Sequence, residues 1–283
     1  MKMENTIPSN RAAVLGYYAR AEEGYWNDLG GVCHYGFSNE GDKGPFDMVS
    51  AQVEMERLLG KTLDLPAGSQ VLDAGCGYGP IARTLSNEFN HNVTGIDLIA
   101  RRLQRNLEIN ERVGPSQIDL VNADYHRLPF ADGSFDGICT METLVHAHNH
   151  QLVLSEFLRV LKPGGKVVLF EYTIPELDSI PKLARNLAER VIRNTGMTSL
   201  PHFTHGSMGR ILENAGFQQA QSKDISKNVH ASWHHMWKLA VRSTLVEFSH
   251  GTIGLDTIPG SAWIWPARSN LGYSISRASK PDE

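Results

Sequence analysis

Val71-Leu72-Asp73-Ala74-Gly75-Cys76-Gly77-Tyr78-Gly79-Pro80 decides the fold. Branched apolar residues run into an aspartate, glycines at alternate positions make a tight turn, and Pro80 suits the first turn of a helix starting there. About 20 residues past Gly77, Ile96-Asp97 closes a second apolar strand, where a carboxylate can accept from both hydroxyls of a ribose. The pattern reads as a nucleoside-cofactor site. It is not the dinucleotide fingerprint G-x-G-x-x-G, which brings a pyrophosphate onto a helix N-terminus. Pro80 takes the place of the third glycine, and the Asp73 carboxylate would repel phosphate. That carboxylate suits a cationic ligand, such as the ammonium of a methionine moiety beside a sulfonium.

Working outward, strands are expected near residues 70–73, 92–96, 117–122, 135–139 and 165–172, alternating with helices near 80–88, 99–112 and 149–161. That alternation implies a doubly wound α/β sheet, mostly parallel, with helices on both faces and ligands beyond the carboxyl ends of its strands. Asp73, Asp97, Asp124 and the segment after Cys139 fall at those ends. Gly164 and Gly165 are expected to stop the helix before the fifth strand with positive φ. A helix over Ser207 to Ala215 leads to a sixth strand at Gly216-Phe217, and Gly272-Tyr273-Ser274-Ile275-Ser276 reads as a seventh. Arg101, Arg102 and Arg105 read as the solvated face of a helix whose apolar positions are Leu103, Leu107 and Ile109.

The glycine turn, Asp97, the run Ile118 to Asp124 with Leu128-Pro129-Phe130, the turn Asp132 to Ile138 and the segment Leu158 to Gly165 occur in the order found in class I S-adenosylmethionine-dependent methyltransferases, which the chain resembles over about residues 70–172. Thr140-Met141-Glu142-Thr143-Leu144-Val145-His146-Ala147, Ser155 to Gly165 and Phe170-Glu171-Tyr172 resemble the sterol C-methyltransferase subgroup. His34-Tyr35-Gly36-Phe37 fits the aromatic segment those enzymes place over the cofactor. The chain departs from them in length, being expected to lack their additional C-terminal region, and in its richness in histidine. Its size and layout are closer to microbial natural-product methyltransferases, which include alkaloid O- and prenyl C-methyltransferases.

The resemblance implies a Rossmann-like seven-stranded sheet with an antiparallel last strand, S-adenosylmethionine as cofactor, no metal, and a small, largely apolar acceptor. It implies cofactor contacts at Tyr18, Tyr35, Asp73, Gly75, Cys76, Gly77, Asp97, Leu98, Asp124, Tyr125 and Met141, with Asp124 accepting from the adenine amino group. The expected organisation is a helical N-terminal cap over residues 1–60, on which Ser9 or Asn10 caps a helix bearing Val14, Tyr17 and Tyr18. A methyltransferase domain over 61–283 would carry acceptor-lid insertions near 174–205 and 228–267.

Composition sets bounds. A chain of 283 residues with 41% hydrophobic and 20% charged residues can bury a full core. A net charge of -4 without a Lys/Arg run argues against a nucleic-acid surface. Cys33, Cys76 and Cys139 are too few and too scattered for a disulfide framework or a metal motif, so a reduced, cytoplasmic setting is expected. No apolar run is long enough for a membrane span. The N-terminal helix either packs in cis or swaps between subunits of a homo-oligomer.

Methyl transfer from a sulfonium is an in-line displacement, for which the protein positions the acceptor and excludes water. A hydroxyl acceptor must also lose a proton, and histidine is the usual base. The 12 histidines favour oxygen as the accepting atom. His146, at the sheet's ligand edge, His202, His205, His234 and His235 are the candidate bases. Each also has a structural reading, as a helix cap or a core residue. Glu142 and the tyrosines support the alternative, methylation of an isoprenoid or sterol-like alkene carbon through a cation held by aromatic faces and a carboxylate. A cofactor-binding protein without turnover is the third possibility. His148 and His150 are expected at the exposed start of a helix, Tyr25 as a staple for the N-terminal helix, and Trp233 and Trp237 as core.

Overall fold

In the computed structural model, which describes residues 10–29, 31–42, 44–113, 118–249 and 265–282, two helices, α1 (Asn10–Leu29) and α2 (Met48–Leu63), precede the strand that feeds the glycine turn, β1 (Gln70–Ala74). There follow α3 (Pro80–Phe89), β2 (Asn92–Asp97), α4 (Ala100–Val113), β3 (Ile118–Asn122), β4 (Phe135–Met141), α5 (His150–Val160) and β5 (Leu161–Thr173). The remainder holds α6 (Lys182–Thr195), α7 (Met208–Asn214), β6 (Gln218–Asp224), α8 (Ser226–Ser249) and β7 (Gly272–Ser279).

The seven strands form one sheet in the order β3-β2-β1-β4-β5-β7-β6. Pairing is parallel from β3 to β5, and β7 runs antiparallel to both β5 and β6. The strand order reverses between β1 and β4, so a crevice opens beyond their carboxyl ends, where ligands of such sheets bind. Two apolar layers hold the sheet. One buries Met55, Leu59 and Leu63 of α2, Ile81 and Leu85 of α3, and Val229 and Trp233 of α8. The other buries Val153, Leu154 and Phe157 of α5 with Met208 and Leu212 of α7. Among the described residues no helix is long and apolar enough to cross a membrane.

Several expectations need correction. Gly164 has φ 69°, but Gly165 is not among the positive-φ residues. Neither ends the helix, because α5 stops at Val160 and β5 begins at Leu161, with a register shift opposite Phe135/Gly137. On α4, Leu107 is exposed and Arg102 is buried, while Leu103 and Asn106 are buried as expected of an inward stripe. Residues 228–249 belong to α8, one continuous helix. Val229 and Trp233, four residues apart, fall on one helical face and, with Ile225 just before the helix, seat it on the sheet rather than over the ligand edge. Residues 250–264, including Trp263, lie outside the described residues, as do Ser9 and the side chains of Asn10 and Tyr25. Within residues 174–205, Met197 lines the smaller of two hollows in the crevice. The amide of Ser199 donates to Val145 O, and a Cβ on Gly196 would lie 3.1 Å from Val14 of α1.

Candidate active site

The turn after β1 is built from three left-handed glycines, Gly75, Gly77 and Gly79, with φ of 94°, 51° and 77°. Their environments differ. A Cβ on Gly75 would lie 2.6 Å from Thr143 Cγ2 and one on Gly79 2.3 Å from Asn106 Nδ2, so both are closed by packing. A Cβ on Gly77 would meet nothing nearer than Arg102 Nη1 at 3.9 Å, so this backbone stays open to a ligand.

Asp97 braces the turn. Its Oδ2 accepts from Gly77 N at 2.9 Å and its Oδ1 from Ile99 N at 2.7 Å. Burial raises its pKa, opposed by the Arg102 charge. Each oxygen keeps a lone pair for a further donor. Asp73 is 1% exposed, and its Oδ2 has no hydrogen-bond partner. Burial, then the charge of Asp97, pushes its carboxyl up to about 7. Cys76 and Cys139 are buried, and desolvation pushes both thiols well above their usual range.

Two adjoining hollows occupy the crevice and share Tyr18, Gly75, Arg102, Thr143 and His146. The larger, about 340 Å³, is lined by Asp97, Leu98, Asp124 and Tyr125 at the ends of β2 and β3. Asp124 Oδ1 accepts from the amide of His126 at 2.9 Å and lies 2.6 Å from His126 Nδ1. These bonds, led by the side-chain one, lower its pKa. The His126 ring stacks on His148 with centroids 3.8 Å apart. Tyr125 donates to Thr143 O at 3.1 Å.

The smaller hollow, about 60 Å³, lies between the glycine turn and β4 and is lined by Cys33, His34, Tyr78, Met141, Glu142 and Tyr172, among others. Glu142 adopts φ 59°, a strained value for a non-glycine residue at the end of β4. Its carboxylate accepts from Tyr35 N at 2.9 Å, from Tyr273 OH at 2.8 Å and from Tyr172 OH. Burial raises its pKa against these bonds. His34 places one ring nitrogen 2.9 Å from Tyr35 O and the other 3.3 Å from Glu56 Oε1. Both partners accept, and an imidazolium alone satisfies both. Burial opposes that charge, but Glu56 outweighs it and raises the pKa.

Of the six candidate catalytic residues, the hollows bring together Glu142 and His146. His146 Nε2 lies 3.0 Å from Tyr18 OH, and burial lowers its pKa to about 4. His202, His205, His234 and His235 line neither hollow. His205 pairs with Thr173 Oγ1 at 2.9 Å, and the His202 ring lies 5.1 Å from that of His150. His234 and His235 ride on α8 against Trp265 and Phe46, with ring centroids 4.6 and 5.7 Å away. His150 is buried, not exposed, and desolvation lowers its pKa to about 4. Tyr35 and Asp73 line neither hollow, since the Tyr35 ring packs among Tyr172, Trp233 and Tyr273. Among the described residues no group of three or more His, Cys, Asp or Glu side chains is placed to hold a metal.

Sequence reading missed Arg102 and the pair His126 and His148. Arg102 had a usable signal, because it precedes Leu103 and lies four residues before Asn106, on the buried stripe of α4. His126 and His148 had none, since they stack only once β3 and β4 are adjacent to the same crevice.

The sheet order, the open glycine and the acidic ends of β2 and β3 define a Rossmann-like domain for an adenosine-containing cofactor. A family model for a methyltransferase domain matches residues 72–169. A protein of Talaromyces variabilis named as an S-adenosyl-L-methionine-dependent Diels-Alderase is 34% identical over 77% of this chain and 77% of its own. An O-methyltransferase of Penicillium expansum is 29% identical over 76% of this chain and 75% of its own. A sterol 24-C-methyltransferase of Gibberella zeae is 28% identical over 84% of this chain, but the match spans 63% of that enzyme. The crystal structure of a [4+2]-cyclase, SpnF, superposes with a TM-score of 0.79 over 99% of this chain and 98% of its own, at 21% identity. The chain belongs to the class I S-adenosylmethionine-dependent methyltransferases, enzymes of small-molecule methylation, and its cofactor is S-adenosylmethionine. The residues present fit that group: Gly77 leaves room, Asp97 keeps free lone pairs, and polar atoms of Asp73 and Arg102 are buried without partners.

Proposed function

We propose that this chain transfers a methyl group to a hydroxyl-type oxygen of a small, largely apolar metabolite, with His146 taking the hydroxyl proton. The carrying observation is that His146, alone among the five candidate histidines, lines both hollows. S-adenosylmethionine, when bound, supplies an electrophilic methyl group. The chain's own part is to bring the oxygen into line and to accept its proton. A ring whose pKa lies at about 4 is neutral above pH 5, the form that a base requires. Tyr18, 3.0 Å away, fixes the ring's orientation. Asp97 would hold the ribose and Asp124 the adenine amino group, the latter with His126 orienting the carboxylate. The 340 Å³ of the larger hollow is of the size usual for small-ligand sites, and the relatedness to an O-methyltransferase supports oxygen.

A second reading rests on Glu142. It lines the smaller hollow with Tyr17, Tyr18, Tyr78 and Tyr172, a set that suits a carbocation formed on an alkene and so carbon methylation. Methyl-labelled S-adenosylmethionine, offered with hydroxylated alkaloids, phenols, prenyl alkenes and linear polyenes, separates the readings. Label on oxygen supports the first and label on carbon the second. A cyclised polyene with the label still on the cofactor overturns both and points to the ring-forming chemistry for which the Talaromyces relative is named.

A further inference from the structure

We propose that His34 is a positioning residue for methyl transfer: as an imidazolium it holds the Tyr35 peptide and, through it, the Glu142 carboxylate in the smaller hollow, an assignment that rests on that hollow being part of the active site. His34 is 6% exposed and lines the hollow. Its Nδ1 lies 2.9 Å from Tyr35 O and its Nε2 3.3 Å from Oε1 of Glu56 on α2. The other Glu56 oxygen accepts from Thr84 Oγ1 of α3. A buried ion pair costs desolvation that its own attraction barely offsets, so stability alone explains it poorly. Its neighbour explains it better, because Tyr35 N donates to Glu142 Oε1 at 2.9 Å. Tyr35 thus has its carbonyl taken by a cation and its amide by an anion that lines the site.

The flanking backbone is pinned as well. Gln52 Nε2 donates to His34 O at 2.9 Å, Gly36 N donates to Ser232 Oγ of α8 at 3.0 Å, and a Cβ on Gly36 would lie 2.5 Å from that of Ala51. Glu142, at φ 59°, sits outside the ordinary backbone regions, a conformation that persists only where its surroundings fix it. Loss of the His34 proton removes one of two donors, because a neutral imidazole carries a single N–H. The charge-assisted bond to Glu56 is the stronger, so the bond to Tyr35 O is the one given up. The Tyr35 peptide then loses its anchor, and the amide that holds Glu142 loses its direction. Carboxyls face His34 from three elements, Glu56 of α2, Glu142 after β4 and Asp73 of β1, and Arg83 of α3 bears on Glu56. Burial opposes the imidazolium, and Glu56 with Glu142 outweighs it.

The test is a nuclear magnetic resonance titration of the full chain, labelled in histidine and tyrosine, with S-adenosylhomocysteine bound. His34 should carry protons on both ring nitrogens at about pH 7 and titrate above the usual value of about 6.5, and the Tyr35 amide resonance should move with the same midpoint. In Glu142→Gln that midpoint should fall, which a role confined to pairing with Glu56 does not produce. In His34→Gln, which offers donors without a charge, kcat on the acceptor that the label experiment identifies should drop by about 10- to 100-fold and lose its dependence on that midpoint, with S-adenosylhomocysteine affinity within about threefold of native. A neutral His34 at about pH 7, or a Tyr35 amide that ignores its titration, overturns the proposal in the native chain, which covers the case that His34→Gln does not fold. Native kcat in a folded His34→Gln also overturns it. If S-adenosylhomocysteine does not bind, the cofactor reading fails on its own, and the titration, run on the free chain, still decides for or against His34.

Discussion

Asp97 and His146 are proposed for opposite kinds of function, and their substitutions should separate cleanly. If Asp97 holds the ribose, its contacts are made in the ground state, so Asp97→Ala should weaken S-adenosylhomocysteine binding by ~1–3 kcal/mol, about 5- to 150-fold. Affinity equal to that of the native chain removes the ribose assignment. On the proposed reading His146 takes the acceptor's proton, so His146→Gln should lower kcat by roughly 10²- to 10⁴-fold and leave cofactor affinity within about threefold. Unchanged turnover would mean that positioning alone drives the reaction. The residues of the turn were legible in the sequence because φ, spacing and charge are local properties. The choice among histidines was not, because whether His146 or His234 meets the crevice is decided by contacts far apart in the chain. Arg102 was misread for the same reason. A guanidinium reads as solvated until Tyr18, from a helix more than eighty residues earlier, is placed on it.

At the scale of elements, α1 packs against α6 and also reaches one face of α4 with its side chains. Arg101 Nη1 lies 3.3 Å from Glu22, Arg102 is stacked on Tyr18, and Arg105 stands 4.7 Å from the Trp26 ring centroid. Arg101 and Arg105 touch neither hollow, and exposed ion and cation–π pairs are each worth roughly 0.5–1 kcal/mol. Arg101→Ala combined with Arg105→Ala should therefore speed cofactor release several-fold while melting at nearly the native temperature. Stopped-flow release at the native rate would show that α1 is not anchored this way. β5 carries a second device. Glu171 Oε1 accepts from the amides of Thr143 and Leu144 at 3.1 and 2.6 Å, fixing the turn that presents His146, while Oε2 is buried without a partner. Burial pushes its carboxyl up to about 8. The folded state thus keeps a proton that the unfolded chain has lost, and stability falls as pH rises from about 4.5 toward 8. Glu171→Gln supplies the neutral acceptor permanently and should be more stable than the native chain at pH 9 but not at pH 5. A native-like loss at pH 9 in urea titrations would place the proton elsewhere.

The parallel core, from the glycine turn to β5, was legible from hydrophobic runs and their punctuation. Residues 228–249 were not, because a segment rich in Trp and His reads as a lid until Val229 and Trp233 are seen to share one buried helical face. The same burial that built the crevice gives the whole molecule a pH response with two limbs of opposite sign. His146 and His150, both lowered to about 4, stay neutral in the fold while the unfolded chain takes up protons below about 6.5. Stability from these groups is therefore lost as pH falls from 6.5 to 4. Asp73 and Glu171, raised to about 7 and 8, act in the other direction and lose stability as pH rises from about 4 to 8. The expected profile is a dome with its maximum between about pH 5 and 6.5. Each limb should yield to its own substitution, the acid limb to His146→Gln and the alkaline limb to Glu171→Gln. Urea unfolding from pH 4 to 9 measures both at once. If the two variants shift the same limb, the buried histidines and carboxyls are not the groups that titrate on unfolding.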